Sequence, residues 1–297
     1  MPPSPVLVET PAQSEELNRI IEQALHEDVG EGDLTTNLLI PASVEVKAQV
    51  VAKAPGVVAG GPIGMRIFHH VDPTLRARQV CSDGGWVGPG DVVLEMTGRA
   101  QTILTAERVC LNFLGRLSGI ATLTQQFVQA VKGTSSKIMD TRKTSPGLRL
   151  LERYAVRVGG GENHRMGLFD QVLVKDNHWE VLAGLPQGTL LKKVKEFRKT
   201  HPGFLVEIEV DCLEELDTIL AAGPDIILLD NMEPDMVEQG VQKIAKQALV
   251  EVSGGITLAN VMEYARAGAD RISVGALTHS AQQIDYSLDI VSPREPQ

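Results

Sequence analysis

Residues 204–231 read FLVEIEVDCLEELDTILAAGPDIILLDN and contain the repeating unit on which the fold depends. An apolar run from Phe204 to Val210 precedes an amphipathic segment, Leu213 to Ala222, and a second apolar run follows from Ile226 to Leu229. Short apolar runs of this kind are typical of buried strands, and the segment between them has helical spacing. A strand, a helix and a strand in this order predict two parallel strands joined by a right-handed crossover.

The same unit recurs through the C-terminal part of the chain. Further strands are predicted at Lys137 to Asp140, Val172 to Val174, Leu249 to Val252 and Ile272 to Val274, and further helices at Gly147 to Arg157, Leu191 to Lys199, Pro234 to Lys246 and Leu258 to Ala267. Repeated strand-helix units place parallel strands side by side in a barrel or an open sheet. A closed barrel of this type has eight strands and fewer are visible, so we expect an open, incomplete α/β barrel.

The N-terminal part shows a different pattern. Ser14 can cap an amphipathic helix, and residues 44–50 alternate between apolar and polar side chains as a half-exposed strand does. Frequent glycines and prolines up to Gly98 indicate short strands joined by tight turns. A helical pattern then extends from Ala100 to Val131, with a break expected at Ser118-Gly119. We place a domain boundary at this break.

The boundary divides the chain into an N-terminal domain, residues 1–117, and a barrel domain, residues 118–297. The three cysteines, Cys81, Cys110 and Cys212, match neither a disulfide framework nor a zinc site, which favours a reduced, cytoplasmic protein. The chain has neither an apolar run of about 18 residues nor a signal-peptide pattern, so we expect no membrane association.

A cationic segment lies between Lys137 and Lys175. It holds eight Lys or Arg residues against four Asp or Glu residues, a net charge of +4 in a chain whose net charge is −10. Nucleic-acid-binding proteins are usually basic over a whole face, so a small polyanionic ligand is favoured and no nucleic-acid partner is expected. Four cations, Arg142, Lys143, Arg165 and Lys175, have too few carboxylates nearby to balance them all, so we expect the ligand to supply the missing negative charge.

Polar residues follow the predicted strands at their carboxyl ends, where parallel α/β folds build their active sites. In chain order they are Thr141-Arg142-Lys143, Lys175-Asp176-Asn177, Glu209, Asp230-Asn231, Ser253-Gly254-Gly255 and Gly275-Ala276. In the last two loops, glycines allow backbone N–H groups to approach a phosphate, and a helix N-terminus is expected behind them. The alternative for each loop is an ordinary turn between a strand and a helix.

Two carboxylates, Glu209 and Asp230, end neighbouring strands. They either neutralise nearby Lys and Arg side chains or hold Mg²⁺ against a phosphorylated substrate, and the two glycine loops favour Mg²⁺. His164 has no second histidine at metal-ligand spacing, so we expect it to form hydrogen bonds beside Arg165.

Blocks of residues across nearly the whole chain carry a family resemblance. They are Gly32-Asp33-Leu34-Thr35-Thr36, Ala106-Glu107-Arg108, Thr141-Arg142-Lys143-Thr144, Gly159-Gly160-Gly161, Asn163-His164-Arg165, Val174-Lys175-Asp176-Asn177-His178, Glu207-Ile208-Glu209-Val210, Leu228-Leu229-Asp230-Asn231, Ser253-Gly254-Gly255-Ile256 and Ser273-Val274-Gly275-Ala276-Leu277-Thr278. In this order they resemble the quinolinate phosphoribosyltransferases, also called carboxylating nicotinate-nucleotide pyrophosphorylases. So many matched blocks in one order argue against a chance likeness.

The resemblance implies an N-terminal α/β sandwich before the open barrel, and a head-to-tail homodimer or a higher oligomer built from it. It implies that quinolinate reacts with 5-phosphoribosyl-1-pyrophosphate, with Mg²⁺ as cofactor, to give nicotinate mononucleotide, pyrophosphate and carbon dioxide. The residues implied around quinolinate are Arg108, acting in the neighbouring subunit's site, with Arg142, His164, Arg165 and Lys175. Those implied for the sugar, the Mg²⁺-pyrophosphate and the 5-phosphate are Lys143, Glu209, Asp230, Ser253, Gly254, Gly275 and His279. Lys143, Lys175, Glu209 and Asp230 would be catalytic, with Glu209 and Asp230 as the metal ligands.

Three other functions are consistent with parts of this pattern. Lys175 at a strand end is where a barrel aldolase would carry a Schiff-base lysine, although the additional arginines argue against it. A related enzyme that uses nicotinate without decarboxylation would bind one carboxylate instead of the two of quinolinate. It would therefore need fewer cationic groups around the pyridine ring. A phosphosugar-binding protein without catalysis would bind its ligand and release no pyrophosphate.

Overall fold

The computed structural model describes residues 10–182, 184–186 and 188–291. Contacts within the chain group these residues into two compact units. The first contains the described residues through Gln125, with Thr144–Gly160 and the residues from Leu277 onward, and the second contains Gln126–Lys143 and Gly161–Ala276. The domain boundary expected between residues 117 and 118 stays a prediction.

The elements of the N-terminal part are α1 (Pro11–Val29), α2 (Leu34–Leu39), β1 (Glu45–Ala52), β2 (Gly56–Val57), α3 (Gly61–Val71), β3 (Arg76–Gln79), β4 (Trp86–Val87), β5 (Val92–Arg99) and α4 (Ala100–Ala130). Those that follow are β6 (Lys137–Met139), α5 (Arg149–Val158), β7 (Val172–Val174), α6 (Asp176–Leu182), α7 (Thr189–Thr200), β8 (Val206–Val210), a 3-10 turn (Leu213–Glu215), α8 (Leu216–Leu220), β9 (Ile226–Asp230), α9 (Pro234–Ile244), β10 (Leu249–Ser253), α10 (Val261–Arg266), β11 (Arg271–Ser273), α11 (Ala276–His279) and β12 (Tyr286–Val291). Among the described helices, none has both the length and the apolar character needed to span a membrane.

The first unit is built on an antiparallel sheet with the strand order β12-β1-β5-β3. β1 shows the alternation expected from its sequence, and its buried side chains pair with β5 in a register that includes Ala48 opposite Met96. The last strand, β12, pairs antiparallel with β1 and was not predicted. Helices on an antiparallel sheet give this unit the α/β sandwich architecture implied by the resemblance.

The start of α1 differs from the prediction. Thr10, rather than Ser14, caps the helix: its hydroxyl accepts a hydrogen bond from the Gln13 backbone N–H at 3.2 Å, and Gln13 Oε1 accepts one from the Thr10 N–H at 3.0 Å. This reciprocal pair is a capping box, and it satisfies two helix-end donors at once. Ser14 instead accepts a hydrogen bond from Arg66 Nη2.

The break predicted at Ser118-Gly119 is also wrong, because α4 is continuous through both residues. Ser118 has a small side chain and Gly119 has none, so another segment can pack closely against α4 at both positions. A Cβ on Gly119 would lie 2.1 Å from the Gln282 carbonyl oxygen, while the Ser118 hydroxyl accepts a hydrogen bond from the Ala59 N–H. The residues that suggested a helix end are therefore sites where another segment approaches the helix closely.

The second unit contains a six-stranded sheet with the order β6-β11-β10-β9-β8-β7. Every pair of neighbouring strands is parallel. β6, the first of these strands in the chain, lies beside β11, the last, as in a closed barrel. The two edge strands of the sheet, β6 and β7, do not pair with each other within the described residues, so the barrel is open. This is the open α/β barrel that the sequence predicted. At the β6 edge, the Glu162 backbone bonds to Ile138 and Asp140 instead.

Candidate active site

Lys175 and Glu209 form an ion pair at the carboxyl ends of β7 and β8. Lys175 Nζ lies 2.7 Å from Glu209 Oε2, and the Asp176 backbone N–H donates to Glu209 Oε1 at 3.3 Å. Glu209 is 3% exposed. The expectation that the ligand alone balances the cations is wrong for Lys175, which has a carboxylate of the protein as its partner.

The end of β9 adds a second carboxylate to this edge. Oxygen atoms of Glu209, Asp211 and Asp230 all lie within 4.8 Å of one another. Asp230 is oriented by hydrogen bonds from the Ser253 hydroxyl and from Asn231 Nδ2, the latter at 2.6 Å. Hard oxygen donors in such a group suit Mg²⁺. The sequence reasoning missed Asp211, although it continues the two-residue alternation from Glu209.

The glycine loop after β10 has the tight geometry expected of Ser253-Gly254-Gly255. Gly254 has a φ of +93°, and a Cβ at this position would lie 2.1 Å from the Asn231 Oδ1 atom. Only glycine is compatible with both the backbone conformation and this close approach. The expected helix N-terminus is not directly behind the loop, because α10 begins only at Val261.

Two guanidinium groups of the second unit lie within electrostatic reach of each other. Arg165 is 8% exposed, and its Nη1 atom donates to the Gln171 carbonyl oxygen at 3.3 Å. Burial, followed by the positive charge of Arg142, lowers the pKa of Arg165. Arg142 and Lys143 are exposed in the loop after β6. Two neighbouring cations, one of them buried, are suited to binding an anionic group.

His164 lies beside Arg165, as predicted, and both ring nitrogens face protein atoms. Nδ1 accepts a hydrogen bond from the Arg165 backbone N–H at 2.7 Å, while Nε2 lies 3.1 Å from Glu207 Oε2 and 3.2 Å from Glu251 Oε1. The sequence reasoning did not single out these two glutamates. The available signal was the presence of glutamates within predicted buried strands: Glu251 in β10, and Glu207 in β8 in addition to Glu209.

The charge of this cluster follows from its burial and its hydrogen bonds. Burial opposes the charged imidazole, but the bonds to Glu207 and Glu251 outweigh it and raise the pKa of His164 to about 10. Burial also raises the pKa of Glu207. A fully protonated ring would carry a hydrogen on Nδ1, which disagrees with the hydrogen bond that Nδ1 accepts from the Arg165 N–H. The geometry holds the neutral ring with its proton on Nε2, and the further proton that the raised pKa implies lies on the carboxyl side of the cluster.

Comparison with known proteins identifies the family. Two family models match, the N-terminal domain of quinolinate phosphoribosyl transferase over residues 33–118 and the C-terminal domain over residues 120–289. The chain belongs to the quinolinate phosphoribosyltransferase family. It is accordingly a decarboxylating phosphoribosyltransferase of de novo NAD synthesis, as the sequence resemblance implied.

Relatives in this family match over most of their lengths. The chain is 43% identical over 276 residues to the nicotinate-nucleotide pyrophosphorylase [carboxylating] of Mycobacterium leprae, covering 91% of this chain and 95% of that protein. It is 38% identical over 281 residues to the probable enzyme of Bacillus subtilis, covering 94% of this chain and 95% of that protein. The crystal structure of NadC from Streptococcus pyogenes superposes with a TM-score of 0.87 at 38% identity, covering 96% and 99% of the two chains.

Family membership decides among the alternative functions. A quinolinate phosphoribosyltransferase is neither a Schiff-base aldolase nor a binding protein without catalysis. Human nicotinic acid phosphoribosyltransferase, which represents the nicotinate alternative, is similar at only 12% identity with a TM-score of 0.63, a likeness of fold alone.

Three further residues are implied by the family resemblance and are not among the groups described above. Gly275 follows β11 and immediately precedes α11. Arg108 is exposed on α4, and His279 is exposed at the end of α11, where its Nδ1 atom lies 2.6 Å from the Ser280 hydroxyl. Arg108 and His279 belong to the first unit, and the roles of all three in this family's reaction stay predictions.

Proposed function

We propose that quinolinate and 5-phosphoribosyl-1-pyrophosphate react at the carboxyl edge of the second unit's sheet. Two observations support the proposal: the buried Arg165 guanidinium lies within electrostatic reach of Arg142, and in the same unit oxygen atoms of Glu209, Asp211 and Asp230 lie within 4.8 Å of one another. Cations suit the dicarboxylate, and the oxygen cluster suits a divalent metal that accompanies a pyrophosphate.

Quinolinate is assigned to the cationic side. Arg142, Arg165 and Lys175 would bind its two carboxylates, and Arg108 would approach from a neighbouring subunit. Because both His164 ring nitrogens face protein atoms, we assign His164 to orienting Arg165 rather than to a direct contact of its own. Arginine is suited to carboxylates because its N–H groups can form two parallel hydrogen bonds.

The phosphoribosyl substrate is assigned to the remaining residues. Lys143, His279, Ser253 and the backbones of Gly254 and Gly275 would bind phosphate oxygens. Glu209 and Asp230, with Asp211 close by, would hold Mg²⁺. The bound metal would supply neutralising charge for the leaving pyrophosphate. The Lys175 ammonium has three N–H donors, so it could keep its contact with Glu209 and donate to a quinolinate carboxylate as well.

The reaction needs no nucleophilic side chain. The pyridine nitrogen forms a bond to the anomeric carbon as the bond to pyrophosphate breaks, and positive charge develops on the ribose ring. Glu209 and Asp230 place negative charge where it can stabilise that state. The carboxylate beside the nitrogen then leaves as carbon dioxide. Its electron pair stays on the ring carbon, stabilised by the positive nitrogen, until a proton is added.

The test is a coupled measurement of pyrophosphate and carbon dioxide. Both products should form in equal amounts only when quinolinate, phosphoribosyl pyrophosphate and Mg²⁺ are present together, and EDTA should stop the reaction. Nicotinate in place of quinolinate is the control and should release little pyrophosphate. Carbon dioxide formed before any pyrophosphate would contradict the order of steps, and turnover of nicotinate alone would contradict the substrate.

We also propose that the protein works as a head-to-tail homodimer in the cytoplasm. The exposed side chains of Leu34, Leu38 and Leu39 on α2 support dimerisation, since a cluster of exposed leucines is usually covered by a partner. Mixing inactive Arg108→Ala and Lys175→Ala subunits would then restore activity, because some sites would combine intact residues from both chains. No restoration, with dimers shown by ultracentrifugation, would place Arg108 in its own subunit's site.

The boundary between the N-terminal domain and the barrel domain is retained at residues 117 and 118 as part of this proposal. The two family models support it, because one ends at residue 118 and the other begins at residue 120.

A further inference from the structure

Two glutamates lie below the carboxyl edge of the second sheet, on the strands that also carry site residues. Glu207 is two residues before Glu209 on β8, and Glu251 is two residues before Ser253 on β10. Residues two apart in a strand point to the same face, so both glutamates lie beneath the site. Both are almost fully buried, at 0% and 1% exposure.

The hydrogen bonds of these glutamates are incomplete. Glu207 Oε2 accepts from Gln171 Nε2 at 2.6 Å, and Glu251 Oε1 accepts from the Ser273 hydroxyl at 2.5 Å. No hydrogen-bond donor among the described residues reaches Glu207 Oε1 or Glu251 Oε2, although the Arg271 guanidinium forms an ion pair with Glu251, with Nη1 3.8 Å from Oε2. A buried carboxylate oxygen without a donor is costly, and an apolar side chain of similar size at position 207 would be about as stable. Stability therefore does not explain Glu207, and at Glu251 the Arg271 partner is too distant for a hydrogen bond.

Both glutamates contact the segment from His164 to Gln171. They hold the Nε2 edge of His164, whose Nδ1 atom in turn binds the Arg165 backbone N–H. Glu207 also holds the Gln171 side chain, and the Gln171 carbonyl oxygen accepts from the Arg165 guanidinium. The backbone and the guanidinium of Arg165 are thus each connected to Glu207 through one intervening residue.

We propose that Glu207 and Glu251 are positioning residues for quinolinate, which set the direction of the Arg165 guanidinium through His164 and Gln171. The inference rests on the proposed assignment of Arg165 to the quinolinate pocket. It extends that assignment to two buried residues that touch no substrate. A guanidinium misplaced by even a small distance loses its paired hydrogen bonds to a carboxylate, so quinolinate binding should be affected first.

The experiment replaces each glutamate by leucine and by glutamine. Glu207→Leu and Glu251→Leu should raise the KM for quinolinate by about 10-fold or more while leaving the KM for phosphoribosyl pyrophosphate within about 2-fold. Glu251→Gln should recover part of the loss, because its amide oxygen can still accept from His164 and Ser273. Calorimetry of quinolinate binding to each folded variant, without the second substrate, provides a readout apart from turnover.

Two controls distinguish the possible outcomes. Glu152→Gln removes charge from another fully buried glutamate, one paired with Arg116, and should lower the melting temperature without changing the quinolinate KM. Arg165→Ala should abolish most quinolinate binding. If it does not, the site assignment fails. If Arg165→Ala does abolish quinolinate binding, the positioning role is overturned in two cases: when the Glu207 and Glu251 variants bind quinolinate normally, or when they bind both substrates equally more weakly. Should the leucine variants not fold, unchanged quinolinate affinity in both glutamine variants would overturn it instead.

Discussion

The two larger sheets of this protein bury different side chains. In the first sheet the buried positions of β1 and β5 are apolar: Ala48, Val50, Val51, Ala52, Val93, Leu94 and Met96. In the second sheet all five residues of β8 are buried, and Glu207 and Glu209 are among them. Apolar burial stabilises the first unit directly. The second unit buries Glu207 with one carboxylate oxygen that no donor among the described residues reaches, which costs stability.

Buried carboxylates also differ between the two units. Asp83 in the first unit accepts four hydrogen bonds, from the Gly60 and Gly61 backbone N–H groups at 2.6 and 3.0 Å and from Gln79 and Tyr154 at 2.7 Å each. Glu207 in the second unit retains an oxygen that no donor among the described residues reaches. A buried carboxylate with all its hydrogen bonds stabilises the fold, whereas a buried carboxylate oxygen without a donor lowers stability and needs another explanation.

The largest expected effect tests the functional side of this comparison. Arg142→Ala and Lys175→Ala should each lose roughly 30- to 1000-fold in kcat/KM, equivalent to about 2 to 4 kcal/mol of transition-state stabilisation. Both side chains are at least partly exposed, so the melting temperature should change little. Lys192→Ala, at an exposed lysine of α7, is the control. Full activity in both variants would remove these residues from the site.

The second prediction tests the structural side. Asp83→Ala leaves the Gly60 and Gly61 N–H groups and the Tyr154 hydroxyl without their acceptor, and should destabilise the protein by about 2 to 4 kcal/mol. Urea unfolding measures the change. The KM values of the folded fraction should stay the same. A large change in quinolinate KM at unchanged stability would remove the contrast with Glu207.

A smaller effect is expected at a close contact of α4 within the first unit. Gly119→Ala places a methyl group against the Gln282 carbonyl oxygen, and the resulting strain should cost about 1 to 3 kcal/mol. Gly203→Ala is a matched control, because a Cβ there meets nothing within 4 Å. Equal stability of the two variants in thermal unfolding would show that α4 can shift to relieve the contact.

The smallest predicted effect is a pH dependence from the first unit. Hydrogen bonds from Thr74, and then the Arg99 guanidinium, lower the pKa of Asp72 well below its ordinary value of 3.8. A carboxyl with a lowered native pKa contributes stability above its ordinary pKa, and that contribution is lost as the pH falls toward the native value. Asp72→Asn should therefore be less stable than the native chain at pH 7, with the difference shrinking below pH 3.8 in urea titrations. A constant difference across this range would contradict the prediction.

The six parallel strands were predictable because each is a short apolar run with its own helix and turn signals. Local signals failed where distant segments decide the outcome. β12 is a strand because β1 offers it an edge, and a glycine stands at position 119 inside a helix because the Gln282 carbonyl group approaches there. At the start of α1, the sequence analysis expected Ser14 as the cap, whereas the reciprocal bonds with Gln13 make Thr10 the cap.

For the site, the sequence by itself determined which residues carry charge at the strand ends, and hence the kind of ligand and the family. Only the tertiary structure decided how those charges pair. It joined Lys175 to Glu209, added Asp211 to the oxygen cluster, and turned His164 toward Glu207 and Glu251. The physical reason is that strand order and register set which side chains meet, and neither is encoded in the local pattern of any one segment.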